Sequence, residues 1–367
     1  MGMFNNFYRD KNVVVTGHTG FKGSWLCKWL LSLGANVSGI SIGIPTNPSL
    51  FKTIGLENEI NHHISDVTDP SSLKKLLDDI RPDVIFHLAA QAIVSTSYED
   101  PLGTILSNSL GTANVCDYLK GCQQDVTCVL ITSDKCYENV EWEYGYREND
   151  VLGGKDIYSA SKACAEILYA SYFNSFLREK TNVRVCTARA GNVIGGGDWA
   201  KDRIVVDMFN SWSDGKSVKI RSPLSTRPWQ HVLEPLSGYL HLGVMLNQQV
   251  SINGQSFNFG PKSEQNRTVI DLANDLFDRL KDKVSAEIPY EVVDNKPFHE
   301  AGLLKLCCDK ASMYLRWQAN LDYDQCVDFI GDWYRAYLTN EDMDKVTSNQ
   351  IERYSVLALE ANLTWTK

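Results

Sequence analysis

The chain has 367 residues, of which 43% are hydrophobic, and its formal net charge is -9. This length exceeds that at which one compact core usually stops growing, so we expect one large domain or two intimate domains. The acidic balance excludes a basic field that gathers nucleic acid or anionic lipid. The N-terminal segment MGMFNNFYRDKN lacks the apolar stretch of a signal peptide, and no later run approaches membrane-spanning length, so we expect a cytoplasmic protein.

Short β-rich runs alternate with amphipathic helical stretches along the first half of the chain. The predicted strands are 13–16, 37–42, 84–88, 128–132 and 183–189. Helices are predicted over 22–33, after the pair Asp69-Pro70, and over the long segment YSASKACAEILYASYFNSFLREK. This alternation is typical of the α/β class, with a Rossmann-type, doubly wound parallel sheet covered by helices on both faces. The long helix has apolar residues on more than one side, so we expect it to contact the sheet and a second surface, such as a partner subunit.

After Arg189 the alternation fades into loops that contain glycine, tryptophan and proline. We therefore predict a Rossmann domain over 1–190 and a smaller C-terminal lobe, mainly within 191–367, that closes over a ligand. Some segments of this lobe are expected to return to the Rossmann domain. The segment after Asn340 is either a docking helix or a loose tail. Ten cysteines and seven histidines are scattered without metal-ligand spacing, so no metal site is predicted.

The segment TGHTGFKG places Gly17, Gly20 and Gly23 between the first predicted strand and its helix. Glycine permits a tight turn and lets backbone N–H groups approach a pyrophosphate, whose charge then faces the positive end of the helix dipole. A glycine triplet alone would be compatible with an ordinary turn. Its position between a strand and a helix favours a dinucleotide site.

This GxxGxxG spacing resembles that of the extended short-chain dehydrogenase/reductase superfamily. Asp66 in SDVTD, the segment HLAAQ and the pair Tyr158 and Lys162 in YSASK carry the same resemblance. It implies an NAD-binding first domain whose cofactor contacts are Gly17, Thr19, Gly20, Phe21, Gly23, Asp66, Val67, Leu88, Ala89, Ala90, Tyr158 and Lys162. One departure is that VSGISIGIP, at the end of the second strand, lacks the acidic residue that binds a ribose 2′-hydroxyl. It also lacks an arginine for a 2′-phosphate, which favours NAD over NADP.

Tyr158 and Lys162 are one helical turn apart, so both project from the same face. A lysine beside a tyrosine lowers the tyrosine pKa and makes it a usable base, although YxxxK also occurs in ordinary helices. The resemblance assigns Ser133, Tyr158 and Lys162 as a Ser/Thr-Tyr-Lys catalytic set. This set serves epimerases, reductases and dehydratases alike, so it does not choose the reaction.

The triplet Ser133-Asp134-Lys135 follows the predicted strand 128–132. Sugar-nucleotide 4,6-dehydratases need an acid and a base there, and those acting on dTDP-glucose have Thr-Asp-Glu. With TGHTGFKGSWL, TSDKCYEN, GGGDWAKDR and RPWQHVLEPLSGY, the triplet resembles the dehydratases that act on CDP-glucose. The resemblance implies conversion of CDP-glucose to CDP-4-keto-6-deoxyglucose and water, for deoxysugars of surface polysaccharides such as the O-antigen of lipopolysaccharide. Other possibilities are a dTDP- or GDP-hexose dehydratase, a 4-epimerase, and a nucleotide-sensing module without catalysis.

The role of Lys135 has two interpretations. Burial and the nearby Lys162 cation would lower its pKa, so that it could remove the C5 proton, while Asp134 donates a proton to the leaving C6 hydroxyl. Alternatively, Lys135 stays charged and stabilises the enolate.

A nucleoside diphosphate needs local cations in an acidic chain. Lys201, Arg203 and Arg227 are the candidates, and Trp199 and Trp229 could cover a base or sugar face. The resemblance extends the substrate-binding set to Gln91, Ser95, Asn108, Asn192, Lys201, Arg203, Arg227 and His231, with His299 as a further residue within possible reach. It also implies a homodimer or homotetramer.

Overall fold

Seven parallel strands form the central sheet of the computed structural model, which describes residues 2–262, 265–293 and 303–367. The strands in chain order are β1 (Asn12–Thr16), β2 (Asn36–Ser41), β3 (Asn61–Ile64), β4 (Val84–His87), β5 (Val126–Ile131), β6 (Val183–Ala190), β7 (Val193–Ile194), β8 (Val218–Ile220), β9 (Thr226–Arg227), β10 (Gln230–His231), β11 (Ser256–Phe259), β12 (Arg267–Thr268) and β13 (Tyr290–Val292). The order in the central sheet is β11-β6-β5-β4-β1-β2-β3. The remaining strands pair as β7 with β10, β8 with β13, and β9 with β12.

The described residues form twelve α-helices. They are α1 (Phe21–Ser32), α2 (Leu50–Thr53), α3 (Pro70–Ile80), α4 (Val94–Glu99), α5 (Pro101–Ile105), α6 (Gly111–Gly121), α7 (Ile157–Tyr172), α8 (Ile204–Ser213), α9 (Leu233–Gln248), α10 (Val269–Leu280), α11 (Tyr323–Leu338) and α12 (Met343–Glu360). π-Helical turns lie at Leu106–Leu110, Phe173–Leu177 and Ala311–Leu315, and 3₁₀ turns at Met3–Asn6, Leu56–Asn58, Asp134–Cys136, Val250–Ile252 and Thr364–Thr366.

The predicted α/β class and Rossmann-type parallel sheet are confirmed. Every residue of β5 is buried, as expected of a strand covered on both faces. Val13 and Val15 of β1 belong to the apolar core on one face, and Val14 belongs to the core on the other. β11, in which polar residues alternate with aromatic ones, was not among the predicted strands.

The predicted helix start at Asp69 is also confirmed. Its carboxylate accepts hydrogen bonds from the backbone N–H groups of Ser71 and Ser72, at 3.0 and 3.2 Å, and Pro70 is the first helical residue. Such a cap satisfies backbone donors that have no partner inside the helix.

A buried ion pair fixes α7 on the sheet. The Arg189 guanidinium at the end of β6 donates two hydrogen bonds to Glu166 on α7, at 2.9 and 2.8 Å. Glu166 also accepts hydrogen bonds from Thr132, which directly follows β5, and from Thr187, which lies within β6. Burial alone would raise the pKa of Glu166, but Arg189 and these donors hold it below its ordinary value.

The C-terminal segment packs onto the rest of the protein. Glu234, in the first turn of α9, accepts hydrogen bonds from the backbone of Asn320 and Leu321 and from the Tyr354 hydroxyl. Because Tyr354 belongs to α12, the segment after Asn340 is a packed helix and not a loose tail. The domain division at residue 190 stays a prediction.

Within the described ranges, no helix combines the length and hydrophobicity that crossing a membrane requires. The same residues contain no cluster of three or more His, Cys, Asp or Glu side chains arranged to hold a metal ion. All ten cysteines are free.

We expect Glu166→Gln to lower the free energy of unfolding by about 3–5 kcal/mol, because it leaves the Arg189 charge buried without its partner. Thermal or urea denaturation followed by circular dichroism measures this change. The control is Asp78→Asn, which removes the exposed Lys74–Asp78 pair and should cost less than about 1 kcal/mol. Equal losses in the two variants would contradict a special role for the buried pair.

Candidate active site

A cleft of about 920 Å³ opens at the carboxyl ends of the central strands. Its walls include the turn after β1, the segments that follow β4 and β5, and the start of α7. The strand order runs from β1 to β2 and β3 on one side, and from β1 to β4 and β5 on the other. Doubly wound sheets bind their ligands in the crevice where the strand order reverses in this way.

The glycine turn after β1 packs so closely against neighbouring backbone atoms that no side chain would fit at Gly17 or Gly23. Gly17 has a φ of +73°, and a Cβ there would lie 2.8 Å from the Ala89 backbone nitrogen. A Cβ at Gly23 would lie 2.3 Å from the Gly17 carbonyl oxygen. The start of α1 lines the cleft directly behind this turn. Its backbone N–H groups and the positive end of its dipole therefore suit a pyrophosphate.

The predicted cofactor residues all line the cleft. The lining of the cleft includes Gly17, Thr19, Gly20, Phe21, Gly23, Asp66, Val67, Leu88, Ala89, Ala90, Tyr158 and Lys162. Their roles toward a cofactor stay predictions.

The end of β2 carries neutral groups where related folds place an acid. Ser41, Ile42 and Gly43 line the cleft there. The Ser41 hydroxyl lies 3.0 Å from Nδ1 of His18, and Nε2 of His18 lies 2.7 Å from Nδ1 of His62. Burial, followed by the charge of His62, lowers the pKa of His18 to about 4, so this ring is neutral near pH 7.

Ser133, Tyr158 and Lys162 all line the cleft. Asp156 caps α7 by accepting a hydrogen bond from the Ser159 backbone, so Tyr158 lies in the first helical turn. Burial raises the pKa of Tyr158, and the Arg203 charge and Ser133 oppose this rise. The expected lowering of the Tyr158 pKa is therefore not present in this structure, since desolvation of the phenolate outweighs the cations. Burial also lowers the pKa of Lys162 to about 8.

Asp134 and Lys135 enter the cleft beside this set. They form a short 3₁₀ turn directly after β5 and Ser133. The buried Asp134 carboxylate accepts a hydrogen bond from the Ser133 hydroxyl at 2.9 Å, and the Lys135 backbone donates to the same hydroxyl at 3.2 Å. A carboxyl group and an amine thus face one cavity from adjacent residues, which allows proton donation and proton removal at neighbouring atoms of a ligand.

Most of the predicted substrate residues also reach the cleft. Its lining includes Gln91, Ser95, Asn192, Arg203 and Arg227, together with both predicted tryptophans, Trp199 and Trp229. His299 lies outside the described residues.

Three predicted substrate residues do not line the cleft. The Asn108 side chain is buried behind it and hydrogen-bonds both backbone groups of Gln91. Lys201 is exposed and pairs with Glu99 at 3.3 Å. The fully buried His231 ring packs against Trp25 and Phe329. Direct substrate contact by these three residues is not supported, although Asn108 positions Gln91.

Several charged residues of the cleft wall were not predicted from the sequence, among them Lys22, Asp198 and Asp207. Burial, with the charges of Arg203 and Lys162, lowers the pKa of Lys22 to about 8. Lys22 is the second residue of α1, where the helix dipole disfavours a cation. This unfavourable position was the signal in the sequence that could have identified Lys22, because a lysine there needs nearby anions.

The family model for GDP-mannose 4,6 dehydratase matches residues 14–329. CDP-glucose 4,6-dehydratase from Salmonella typhimurium is 42% identical over 353 residues, which cover 95% of this chain and 97% of that protein. Among solved structures, an epimerase from Methanothermobacter thermautotrophicus matches with a TM-score of 0.77 and 22% identity, over 93% of this chain and 97% of that one.

The dTDP-glucose 4,6-dehydratase DesIV from Streptomyces venezuelae, solved with NAD and TYD bound, has a TM-score of 0.75 and 19% identity, over 90% of this chain and 98% of that one. These two structures share the fold, whereas the family match and the Salmonella relative share sequence over nearly the whole chain. The chain therefore belongs to the family that this GDP-mannose 4,6 dehydratase model describes, and the predicted resemblance to the 4,6-dehydratases that act on CDP-glucose is confirmed.

Proposed function

We propose that this protein is an NAD-dependent lyase that converts CDP-glucose to CDP-4-keto-6-deoxyglucose and water. The observation that carries the proposal is the buried Asp134 beside Lys135, in one cavity with Tyr158 and Lys162. A 4-epimerase has no use for this additional acid and amine. The 42% identity to the Salmonella CDP-glucose 4,6-dehydratase supports the same substrate.

The glycine turn and its neighbouring wall fit NAD. The close approach at Gly17 and Gly23 leaves the start of α1 open to a pyrophosphate, while Asp66 and Ala89 line the same wall. The chemistry that NAD supplies when bound is reversible hydride transfer: a hydride leaves C4 and returns to C6 after the elimination, while C5 regains a proton from solvent, so that no net oxidation occurs. The neutral end of β2 offers no cation for a 2′-phosphate, which supports NAD over NADP.

Tyr158 removes the proton of the C4 hydroxyl while C4 is oxidised to the ketone. Because burial raises its pKa, the phenolate depends on positive charge in the same cavity. Arg203 and Lys162 both line that cavity and supply this charge. Ser133 holds the C4 oxygen by a hydrogen bond.

Asp134 and Lys135 carry out the elimination. The C4 ketone acidifies the C5 hydrogen, and Lys135 takes that proton while the C6 hydroxyl accepts the proton of Asp134 and leaves as water. Low exposure keeps Asp134 in a water-poor environment. In the second interpretation Lys135 stays charged and stabilises the enolate.

The product belongs to deoxysugar biosynthesis for surface polysaccharide such as the lipopolysaccharide O-antigen, in the cytoplasm. Exposed apolar side chains on α5, α7 and the π turns beside them support a homodimer or homotetramer through this face. They are Leu102, Ile105, Leu106, Leu110, Ile167 and Phe176.

The proposal is tested by incubating the purified protein with CDP-glucose and, separately, with dTDP-, UDP- and GDP-linked hexoses. The reactions run in heavy water with catalytic NAD and are read by mass spectrometry. We expect loss of water from CDP-glucose, with one deuterium at C5. Failure to lose water from any of these substrates would overturn the dehydratase assignment, and epimerised product would favour the 4-epimerase.

We expect Tyr158→Phe to lower kcat for CDP-glucose about 10²–10⁴-fold, since no group then accepts the C4 proton. The measurement is product formation under saturating substrate and NAD. The matched control is Tyr144→Phe, which alters a largely exposed tyrosine outside the cleft lining and should retain kcat within about twofold. Similar kcat values in wild type and Tyr158→Phe would remove Tyr158 from the mechanism.

Two variants of Lys135 separate its interpretations. If Lys135 is the base, both Lys135→Met and Lys135→Arg abolish deuterium incorporation at C5, because guanidinium stays protonated. If it is an electrostatic stabiliser, Lys135→Arg retains incorporation and only Lys135→Met loses it. Incorporation at the wild-type rate in Lys135→Met would eliminate both roles.

A further inference from the structure

One end of the cleft is built by α8 and β8, which pack against each other. Ile204, Val205 and Asp207 line it from α8, and Lys219, Ile220 and Arg221 line it from β8 and the residue that follows. This inference rests on the proposed function. A nucleotide sugar whose hexose reaches Tyr158 and whose diphosphate contacts Arg203 and Arg227 directs its base toward this end.

Asp207 differs from the other carboxylates of this wall. Asp198 accepts a hydrogen bond from the Ala200 backbone, and Asp202 accepts one from the Ser95 hydroxyl. The half-buried Asp207 carboxylate has no hydrogen bond to, and no ion pair with, any residue in the described part of the chain. Its acceptor atoms are thus open to a ligand.

A carboxylate is an unfavourable group in a cavity that binds a diphosphate. Its negative charge repels the phosphates of every nucleoside diphosphate. Asp202 adds a second negative charge close to Asp207. Asp207 therefore weakens binding unless the ligand brings an N–H donor to it.

We propose that Asp207 selects cytosine by accepting a hydrogen bond from the amino group at C4 of the base. Uracil and thymine carry a carbonyl oxygen at this atom, so two acceptors would face each other and neither would be paired. A site built to hydrogen-bond one group rejects an analogue that lacks it more strongly than an apolar pocket can. Ile204 and Ile220 supply apolar surface for the faces of the ring.

The charges around Asp207 are compatible with an ionised carboxylate, which accepts hydrogen bonds, at neutral pH. Burial and, after it, the charge of Asp202 raise the pKa of Asp207, while the charge of Arg221 opposes this rise. The net result is a pKa of about 6. The side chain is therefore mostly ionised at pH 7. Below pH 6 it becomes protonated and gains an O–H donor, which suits the uracil carbonyl.

The test measures the dissociation constants of CDP and UDP by calorimetry, using the full-length protein saturated with NAD. Wild type should prefer CDP about ten- to hundredfold, and Asp207→Asn should remove most of this preference, because its amide can donate to uracil O4. Asp207→Glu, which keeps the acceptor, should retain part of it. The control is Asp202→Asn, which removes the same charge from the same wall and should change both affinities while keeping their ratio within about twofold.

The pH dependence gives a second readout. The two nucleotides share the same diphosphate, so its titration cancels in the ratio of their affinities. As the pH falls from 7 to 5, the preference for CDP should decline in wild type and stay constant in Asp207→Asn. Besides Asp207, the charged groups of this wall are Asp202, Arg221 and Lys219. Asp202→Asn should keep the decline but shift it to lower pH, because the Asp202 charge helps to raise the pKa of Asp207.

An unchanged CDP-to-UDP ratio in Asp207→Asn, or an equal fall in Asp202→Asn, would overturn the inference. Melting temperatures verify that the variants are folded, and Asp207→Glu keeps the test decisive if the asparagine variant is not. Binding ratios do not depend on turnover, so failure of wild type to dehydrate CDP-glucose would refute the proposed function alone. A variant that gains affinity for GDP or ADP instead of UDP would also overturn the choice of cytosine.

Discussion

The active cleft depends on one buried carboxylate, Glu166. Its two oxygens join the neighbouring strands β5 and β6 to α7, because Thr132, Thr187 and Arg189 all donate to it. Thr132 directly precedes Ser133, and Glu166 lies one helical turn beyond Lys162. The distance between the strand that supplies the acid and amine and the helix that supplies the tyrosine is therefore set by hydrogen bonds in a low-dielectric interior, where they are strongest.

The protein is acidic as a whole, yet its cleft concentrates cations. Lys22, Lys162 and Arg203 face Asp134 and Asp198 in one cavity. Burial lowers the pKa values of Lys22 and Lys162 to about 8, and neighbouring positive charges add to this effect at Lys22. Both amines are therefore mostly protonated at pH 7. Such a cavity holds an anionic nucleotide through local charge, while the net charge of -9 keeps other polyanions away from the surface.

Short patterns in the sequence predicted the sheet and the glycine turn, because each depends on local runs of residues, and Tyr158 with Lys162 depends on the spacing of one helical turn. The catalytic roles of these residues stay a prediction. The buried run of β5 and the cap at Asp69 are local in the same sense. The motif strings gave no information on which side chains point inward, so Asn108, Lys201 and His231 were placed at a cleft that they do not line. Lys22 and Asp207 were missed because their neighbours come from distant segments, and β11 was missed because its alternation of polar and aromatic residues spans only four positions.

The position of β11 has a consequence for synthesis of the chain. β6, which carries Arg189, lies between β5 and β11, and β11 is formed by residues 256–259. Until those residues have left the ribosome, β6 is an edge strand with unpaired backbone groups and exposed side chains that are buried in the folded protein. Such an edge favours pairing with other chains. The first 190 residues therefore cannot complete their own sheet. The nascent protein relies on β11 to cover this edge, and β11 begins at Ser256, whereas β6 ends at Ala190.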